Sequence, residues 1–232
     1  MRQRYAVIPT RNRPQDFRDC VAAIGPQVDR LIVIHHITDG VQAVNAGKHQ
    51  PDIDAETYPY DWAAYGSTEV TVLGYFTDPP NISAMWNHGI RRARSLAAMV
   101  DENYDVAILN DDVVVPSTWF GDITRAMRAH GAWAGCMSGT LTEVIARATD
   151  LTLPRMTGYA FVLAEGMEAD PQFQWWFGDN DLDWSARRAG GVVHVPGVVE
   201  HRHPDSTTVG ALRDIANQDA DRFVVKWGKR PW

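Results

Sequence analysis

Two carboxylates stand side by side where an apolar run ends. In "YDVAILNDDVVVP" (104–116), Val106, Ala107, Ile108 and Leu109 lead into Asn110, Asp111 and Asp112. Adjacent like charges repel, and burying either is costly without a compensating cation. The pair is either a solvated turn or a seat for a hard divalent cation, which takes oxygen ligands and leaves other positions to water or substrate phosphates.

Four further clusters carry chemistry-bearing residues. "GDNDLDW" (178–184) places Asp179, Asp181 and Asp183 before an Arg-containing helix. Acids there suit a helix start through capping and the dipole. A carboxylate held in such a turn can also act as a general base toward a hydroxyl. The Gly and distant Glu of a calcium loop are missing. In "EHRHPDS" (200–206), His201 and His203 alternate, so both reach one side of a regular strand end, as ligands or as ordinary structural histidines. "PTRNRP" (9–14) offers Thr10, Arg11, Asn12 and Arg13 at another strand end, where the guanidiniums could contact phosphates or simply lie in a loop. "FQWWFG" (173–178) holds Phe173, Trp175, Trp176 and Phe177, which suit either a core or stacking on a sugar or base.

The elements that would position these groups alternate. "RYAVIP" (4–9) reads as a buried strand, and "RPQDFRDCVAAIG" (13–25) as a helix with Phe17, Val21 and Ile24 at helical spacing. Pro14 suits its start and Gly25-Pro26 its end. "DRLIVIH" (29–35), "EVTVLGYF" (69–76) and "YDVAILN" (104–110) are further strands, and Pro79-Pro80-Asn81 opens a helix to about Met99. Short, uniformly apolar strands separated by helices predict an α/β domain with a mostly parallel sheet covered on both faces. Its ligand crevice lies at the carboxyl ends of the strands, where Asp111 and Asp112 sit. Later segments read as a strand within 148–166, a helix within 173–191 ending at Gly190-Gly191, two short strands in 192–204 and a closing helix over 208–227. The polar, aromatic-dotted stretch 45–68 reads as a long functional or mobile loop.

Composition narrows the class. With 232 residues, 45% hydrophobic and 22% charged, the chain reads as one ordinary soluble domain without a clear linker. No apolar stretch reaches the roughly 18 residues of a membrane span, and the N-terminus does not read as a signal peptide. No membrane insertion and a cytoplasmic location (a host's cytoplasm, for a phage protein) are expected. Cys20 and Cys136 are too few for a disulfide framework. A net charge of −7 argues against a broad grip on nucleic acid. "GIRRAR", with Arg91, Arg92 and Arg94, is either a local basic patch or a solvated helix face.

The order of these clusters resembles the GT-A glycosyltransferases, specifically the family 2-like group that uses nucleotide-sugar donors. "ILNDDVVVP" looks like that group's Asp-x-Asp segment. "WWFGDNDLDWSARRAGGVVHVPGVVEHRH" is similar to its downstream block, "NISAMWNHGIRRA" to the helix beside the donor, and "MTGYAFVL" to the strand before the acceptor site. About 200 residues are covered. The resemblance implies a GT-A fold, with residues 1–115 forming a nucleotide-sugar-binding half and 116–232 an acceptor and catalytic half.

It also implies roles. Asp112 matches the acid that holds Mn²⁺ or Mg²⁺, with His201 or His203 completing the site. Asp179 matches the base, with Asp181 as the neighbouring candidate. Thr10, Arg11, Arg13, His35, Asn87, Asn110 and Asp111 fall on the donor side, and Trp175 and Trp176 on the acceptor side. Three positions depart from the pattern. Asn110 replaces the first Asp of Asp-x-Asp, Gly178 stands where a Glu is expected, and His35 replaces the acid that contacts uracil, leaving the nucleotide base open. The implied activity is metal-dependent transfer of a single sugar, with inversion, to a hydroxyl acceptor; a hydroxylated base in phage DNA is one acceptor class. A nucleotidyltransferase is disfavoured by the absence of Gly from "PTRNRP", and an inactive nucleotide- or glycan-binding module is the remaining alternative.

Overall fold

The computed structural model describes residues 2–11, 13–37, 68–151, 154–203 and 211–231. Its framework is one eight-stranded sheet. The strands β1 (Gln3–Thr10), β2 (Arg30–His36), β3 (Glu69–Tyr75) and β4 (Tyr104–Leu109) run parallel in the order β3-β2-β1-β4. The other half comprises β6 (Ala134–Ser138), β7 (Ile145–Ala148), β8 (Ala160–Ala164) and β9 (Val192–Pro196), continuing from β4 as β8-β6-β9-β7. There β8 runs antiparallel to both β4 and β6, and β7 antiparallel to β9, so the sheet is mixed although mostly parallel. A separate two-stranded ladder joins β5 (Val113–Val114) to β10 (Glu200–His201), antiparallel.

Five α-helices are found among the described residues: α1 (Pro14–Ile24), α2 (Ile82–Met99), α3 (Trp119–His130), α4 (Gly178–Ala189) and α5 (Ala211–Trp227). On one face Phe17, Val21 and Ile24 of α1 and Phe120, Ile123 and Met127 of α3 pack on the sheet. On the other, Met85, Trp86 and Ile90 of α2 join Leu182 and Ala186 of α4. Burying such side chains on both faces is what makes the central strands uniformly apolar. A third small core seats α5 through Phe223 and Ala220 against Phe173, Phe177 and Trp184. Of the four aromatics in "FQWWFG", Phe173 and Phe177 are therefore core residues.

Residues 117–147 lie outside the elements expected from pattern alone; they form α3, β6 and β7. Among the described residues no helix is long and apolar enough to cross a membrane. The stretch 45–68, except Thr68, and Asn12 lie outside the described residues.

Candidate functional site

The parallel pairing of β1 with β4 sets two strand ends beside each other. Thr10 at the end of β1 donates from Oγ1 to Asp111 Oδ2 at 2.8 Å. Arg13, just before α1, reaches back with Nη1 to Asp112 Oδ2 at 2.9 Å and Asp111 Oδ1 at 3.5 Å. Burial pushes the Asp111 carboxyl up to about 6, against the pull of Thr10 and Arg13. Asp112 is also buried, but His201 and Arg13 outweigh that burial and hold it below the usual carboxylate value. The opening alternatives are thus decided against a solvated turn, since the acids are 7% and 2% exposed.

His201 arrives from the far end of the chain by way of the β5–β10 ladder, in which it pairs with Val113. The neighbouring Arg202 donates its backbone N–H to Asp112 O at 3.1 Å and its guanidinium to Asp19 on α1 at 2.5 Å. Alternation then turns His201 the other way, to 3.4 Å from Asp112 Oδ1, with its ring stacked on Tyr159 at 4.4 Å between centroids. His203 does not join it at Asp112; its Nε2 lies 3.2 Å from Asp16 Oδ2. Strand alternation ends at His201, so of the two histidines offered to complete the site, His201 stands beside Asp112 and His203 beside Asp16. Among the described residues no cluster of three or more His, Cys, Asp or Glu is arranged for a metal. Two protein donors nevertheless fit a cation that is usually held by one or two carboxylates plus substrate phosphates. Asp112 Oδ1, buried and short of a well-formed hydrogen bond, with His201 Nε2 3.4 Å away, is the oxygen such a cation would satisfy.

These groups line a cleft of about 480 Å³ at the strand ends, together with Arg11, Asn110, Gly158, Trp175, Trp176 and Asp179. Asp179 sits in the first turn of α4, whose entry is set by Phe177 in the left-handed region (φ 67°). A non-glycine residue there is strained, and such strain concentrates at functional sites. Burial raises the Asp179 carboxyl above its ordinary value despite Arg155 and nearby backbone N–H groups. Beside it, a Cβ on Gly178 would lie 2.4 Å from Ser83 Oγ and 3.3 Å from the Trp86 ring. The space for the Glu expected at 178 is thus closed by α2.

Three residues assigned from the sequence are absent from the cleft lining. Asp181 is absent from the cleft lining; it accepts from Trp227 Nε1 and pairs with Lys226 Nζ, both at 2.8 Å, tying α4 to α5. A two-residue step along a helix turns a side chain by about 200°, which is why Asp179 and Asp181 part. Asn87 is buried and clasps the backbone of Ala169, donating to its carbonyl at 2.7 Å and accepting from its N–H at 2.8 Å. His35 is buried away from the cleft, pushed down to about 4 by burial and by His36, while His36 lines the cleft. Alternation along β2 puts the two on opposite faces.

Two of the three arginines of the basic run share one carboxylate. Arg91 and Arg94 both pair with Glu168, at 3.1 and 2.5 Å. Residues not singled out from sequence include Tyr159 and Asp219. The buried Asp219 accepts the backbone N–H groups of Trp175 and Trp176 on Oδ2, at 2.7 and 3.0 Å, fixing the loop that carries both rings to the cleft. The quoted "MTGYAFVL" contains Tyr159; nothing in the α5 sequence marks Asp219.

The mostly parallel eight-stranded sheet with helices on both faces matches the GT-A fold of TarS. Among solved structures, S. aureus TarS (residues 1–349) superposes with a TM-score of 0.61 at 10% identity, covering 96% of this chain and 65% of that one. S. aureus TarS in its longer form gives 0.56 at 9% identity, covering 96% and 40%. Residues 1–349 of TarS in complex with UDP-GlcNAc give 0.51 at 9%, covering 96% and 66%. The chain therefore spans about two thirds or less of these structures. No protein-family model and no curated protein matches the sequence.

Proposed function

We propose that the chain is a glycosyltransferase that moves one sugar from a nucleoside diphosphate donor to a hydroxyl acceptor with inversion. The observation that carries this reading is the convergence of Asp112, His201 and Asp179 on one cleft at the carboxyl ends of a GT-A sheet. Residues 1–115 supply the donor half and 116–232 the acceptor half. Arg11, Arg13 and His36 line the cleft, which supports the two guanidiniums as partners of a diphosphate and His36 rather than His35 as a partner of the nucleoside. Asp112 and His201 would hold Mn²⁺ or Mg²⁺, which supplies Lewis-acid stabilisation of charge on the departing diphosphate.

Asp179 takes the proton of the acceptor hydroxyl as that oxygen bonds to the anomeric carbon. The bond from this carbon to the diphosphate oxygen breaks in the same displacement. A carboxylate raised by burial is a stronger proton acceptor than an exposed one, which suits the role. Trp175 and Trp176 offer faces on which an acceptor sugar or base stacks. UDP-GlcNAc in TarS makes UDP-sugars the first donors to try.

The test is a thermal-shift panel of UDP-, GDP-, dTDP- and CMP-sugars with and without Mn²⁺, followed by hydrolysis or transfer assays on any hit. A ligand in large excess over its dissociation constant stabilises by a few kcal/mol. A Mn²⁺-dependent shift with turnover is the expected result. A shift without turnover on any acceptor points to the binding module, and no shift overturns the donor site.

A further inference from the structure

The carboxylates assigned to the divalent cation already carry a positive side chain. Arg13 Nη1 lies 2.9 Å from Asp112 Oδ2 and 3.5 Å from Asp111 Oδ1. Asp112 is 2% exposed, and His201 Nε2 stands 3.4 Å from its other oxygen. A cation such as Mg²⁺ holds its oxygen ligands at about 2.0–2.1 Å. With the guanidinium one hydrogen bond away on the same carboxylate, two positive centres would face each other where water is scarce. Repulsion there is several times stronger than in bulk water. Both cannot keep Asp112 at full strength.

Arg13 is built to leave. It is the N-cap of α1, just before Pro14, where its backbone carbonyl accepts from Phe17 N–H at 3.0 Å, so its backbone is anchored while its side chain is 27% exposed toward the cleft that it lines. A guanidinium turned from a carboxylate finds an equivalent planar, bidentate partner in a diphosphate. Asp111 has a second anchor in Thr10 and so keeps its position when Arg13 moves. Asp112 keeps the backbone bond from Arg202 and the approach of His201.

We infer that Arg13 is an internal counterion of Asp111 and Asp112 which a divalent cation must displace from Asp112, and that the released guanidinium then grips the donor diphosphate. Cation and nucleotide consequently bind as a pair, each weakly alone. This rests on the donor-site reading above and adds the order in which its charges are exchanged.

Mn²⁺ binding, read from the electron paramagnetic resonance signal of the free ion, tests it without any turnover. Wild type, Arg13→Gln and Arg13→Lys are compared with no nucleotide and with UDP, after circular dichroism has established that each variant is folded. Without nucleotide, Arg13→Gln is expected to bind Mn²⁺ at least about tenfold more tightly than wild type, because the competing charge is gone. Lysine, a single point charge without the fork, should fall between. UDP should strengthen Mn²⁺ binding in wild type far more than in Arg13→Gln.

If Mn²⁺ binds wild type with UDP, yet Arg13→Gln gains nothing in its absence, the counterion exchange is wrong and the donor site stands. If Arg13→Gln does not fold, an Arg13→Lys affinity equal to or below wild type has the same meaning. If none of the proteins binds Mn²⁺ under any condition, both readings fall.

Discussion

Gly158 and Asp179 approach so closely that a Cβ at position 158 would lie 2.3 Å from Asp179 Oδ2. The carboxylate offered as the base therefore lies against bare backbone, just before β8, in space that any side chain at 158 would take. Gly158→Ala should move Asp179 without touching the donor side. Misplacing a reacting group by about 1 Å can cost a hundredfold in rate. We expect kcat to fall by about that factor, with the donor dissociation constant unchanged. Unaltered turnover would remove Asp179 from the chemistry.

Asp179 and Asp181 provide a sharper pair, because the helix turns them to different tasks. Asp179→Asn should leave nucleotide-sugar binding intact and abolish transfer. Asp181→Asn should keep transfer but weaken the α4–α5 junction, where Asp181 meets Trp227 and Lys226. Losing charge-assisted bonds of this kind costs roughly 1–3 kcal/mol. Steady-state transfer and urea unfolding of the two variants decide it; a dead Asp181→Asn beside an active Asp179→Asn would place the base two residues later.

The parts of this arrangement legible in the sequence are those with local signatures. Uniform apolar runs gave β1 to β4, Pro14 marked the start of α1, and the acids at the end of β4 could be placed by topology alone. What escaped depended on facing. His35 and His36 differ only in which side of β2 each takes, and the pattern "LIVIHH" is apolar on both faces. Asn87 reads as a polar residue near a donor until its partner, the backbone of Ala169, is known. Position 178 reads as a lost Glu until Ser83 and Trp86 are seen to close that space. Such contacts span 80 residues or more and leave no periodic trace.

Acid should erode stability through buried histidines. Burial, then the adjacent Arg187, pushes His194 down to about 4; an unfolded histidine titrates near 6.5. A depressed folded value means that the unfolded chain takes up the proton first. His194 therefore contributes stability that is complete above about 6.5 and is lost as pH falls toward 4. Its ring contacts Cys136 Sγ at 3.3 Å and Arg187 Nη2 at 3.5 Å, so a proton there has no acid to meet. The raised carboxyls of Asp111 and Asp183, each about 6, act in the opposite sense over roughly 4 to 6 and offset part of the loss. The comparison must then be differential. Between pH 7 and pH 5, wild type should lose about 1–2 kcal/mol more than His194→Gln in urea unfolding. Equal losses would mean that His194 does not resist protonation.

Asp219 reaches the cleft only through what it holds. Its Oδ2 accepts from two successive backbone N–H groups, those of Trp175 and Trp176, while Arg222 donates to Oδ1 at 2.7 Å. This fixes a loop whose Trp176 ring remains 43% exposed beside the cleft. Asp219→Asn turns an amide N–H₂ toward either the backbone donors or Arg222, so one set of bonds must fail. The aromatic loop should loosen while Asp112, His201 and Asp179 stay in place. We expect the acceptor KM to rise about tenfold, as truncating a stacking ring would cost, with donor affinity and kcat little changed. Trp176→Ala should do the same. Because Asp219 acts by placing Trp176, the double variant should be no worse than Trp176→Ala alone. Fully additive losses in the acceptor KM would instead separate the two residues and leave Asp219 a purely structural anchor of α5.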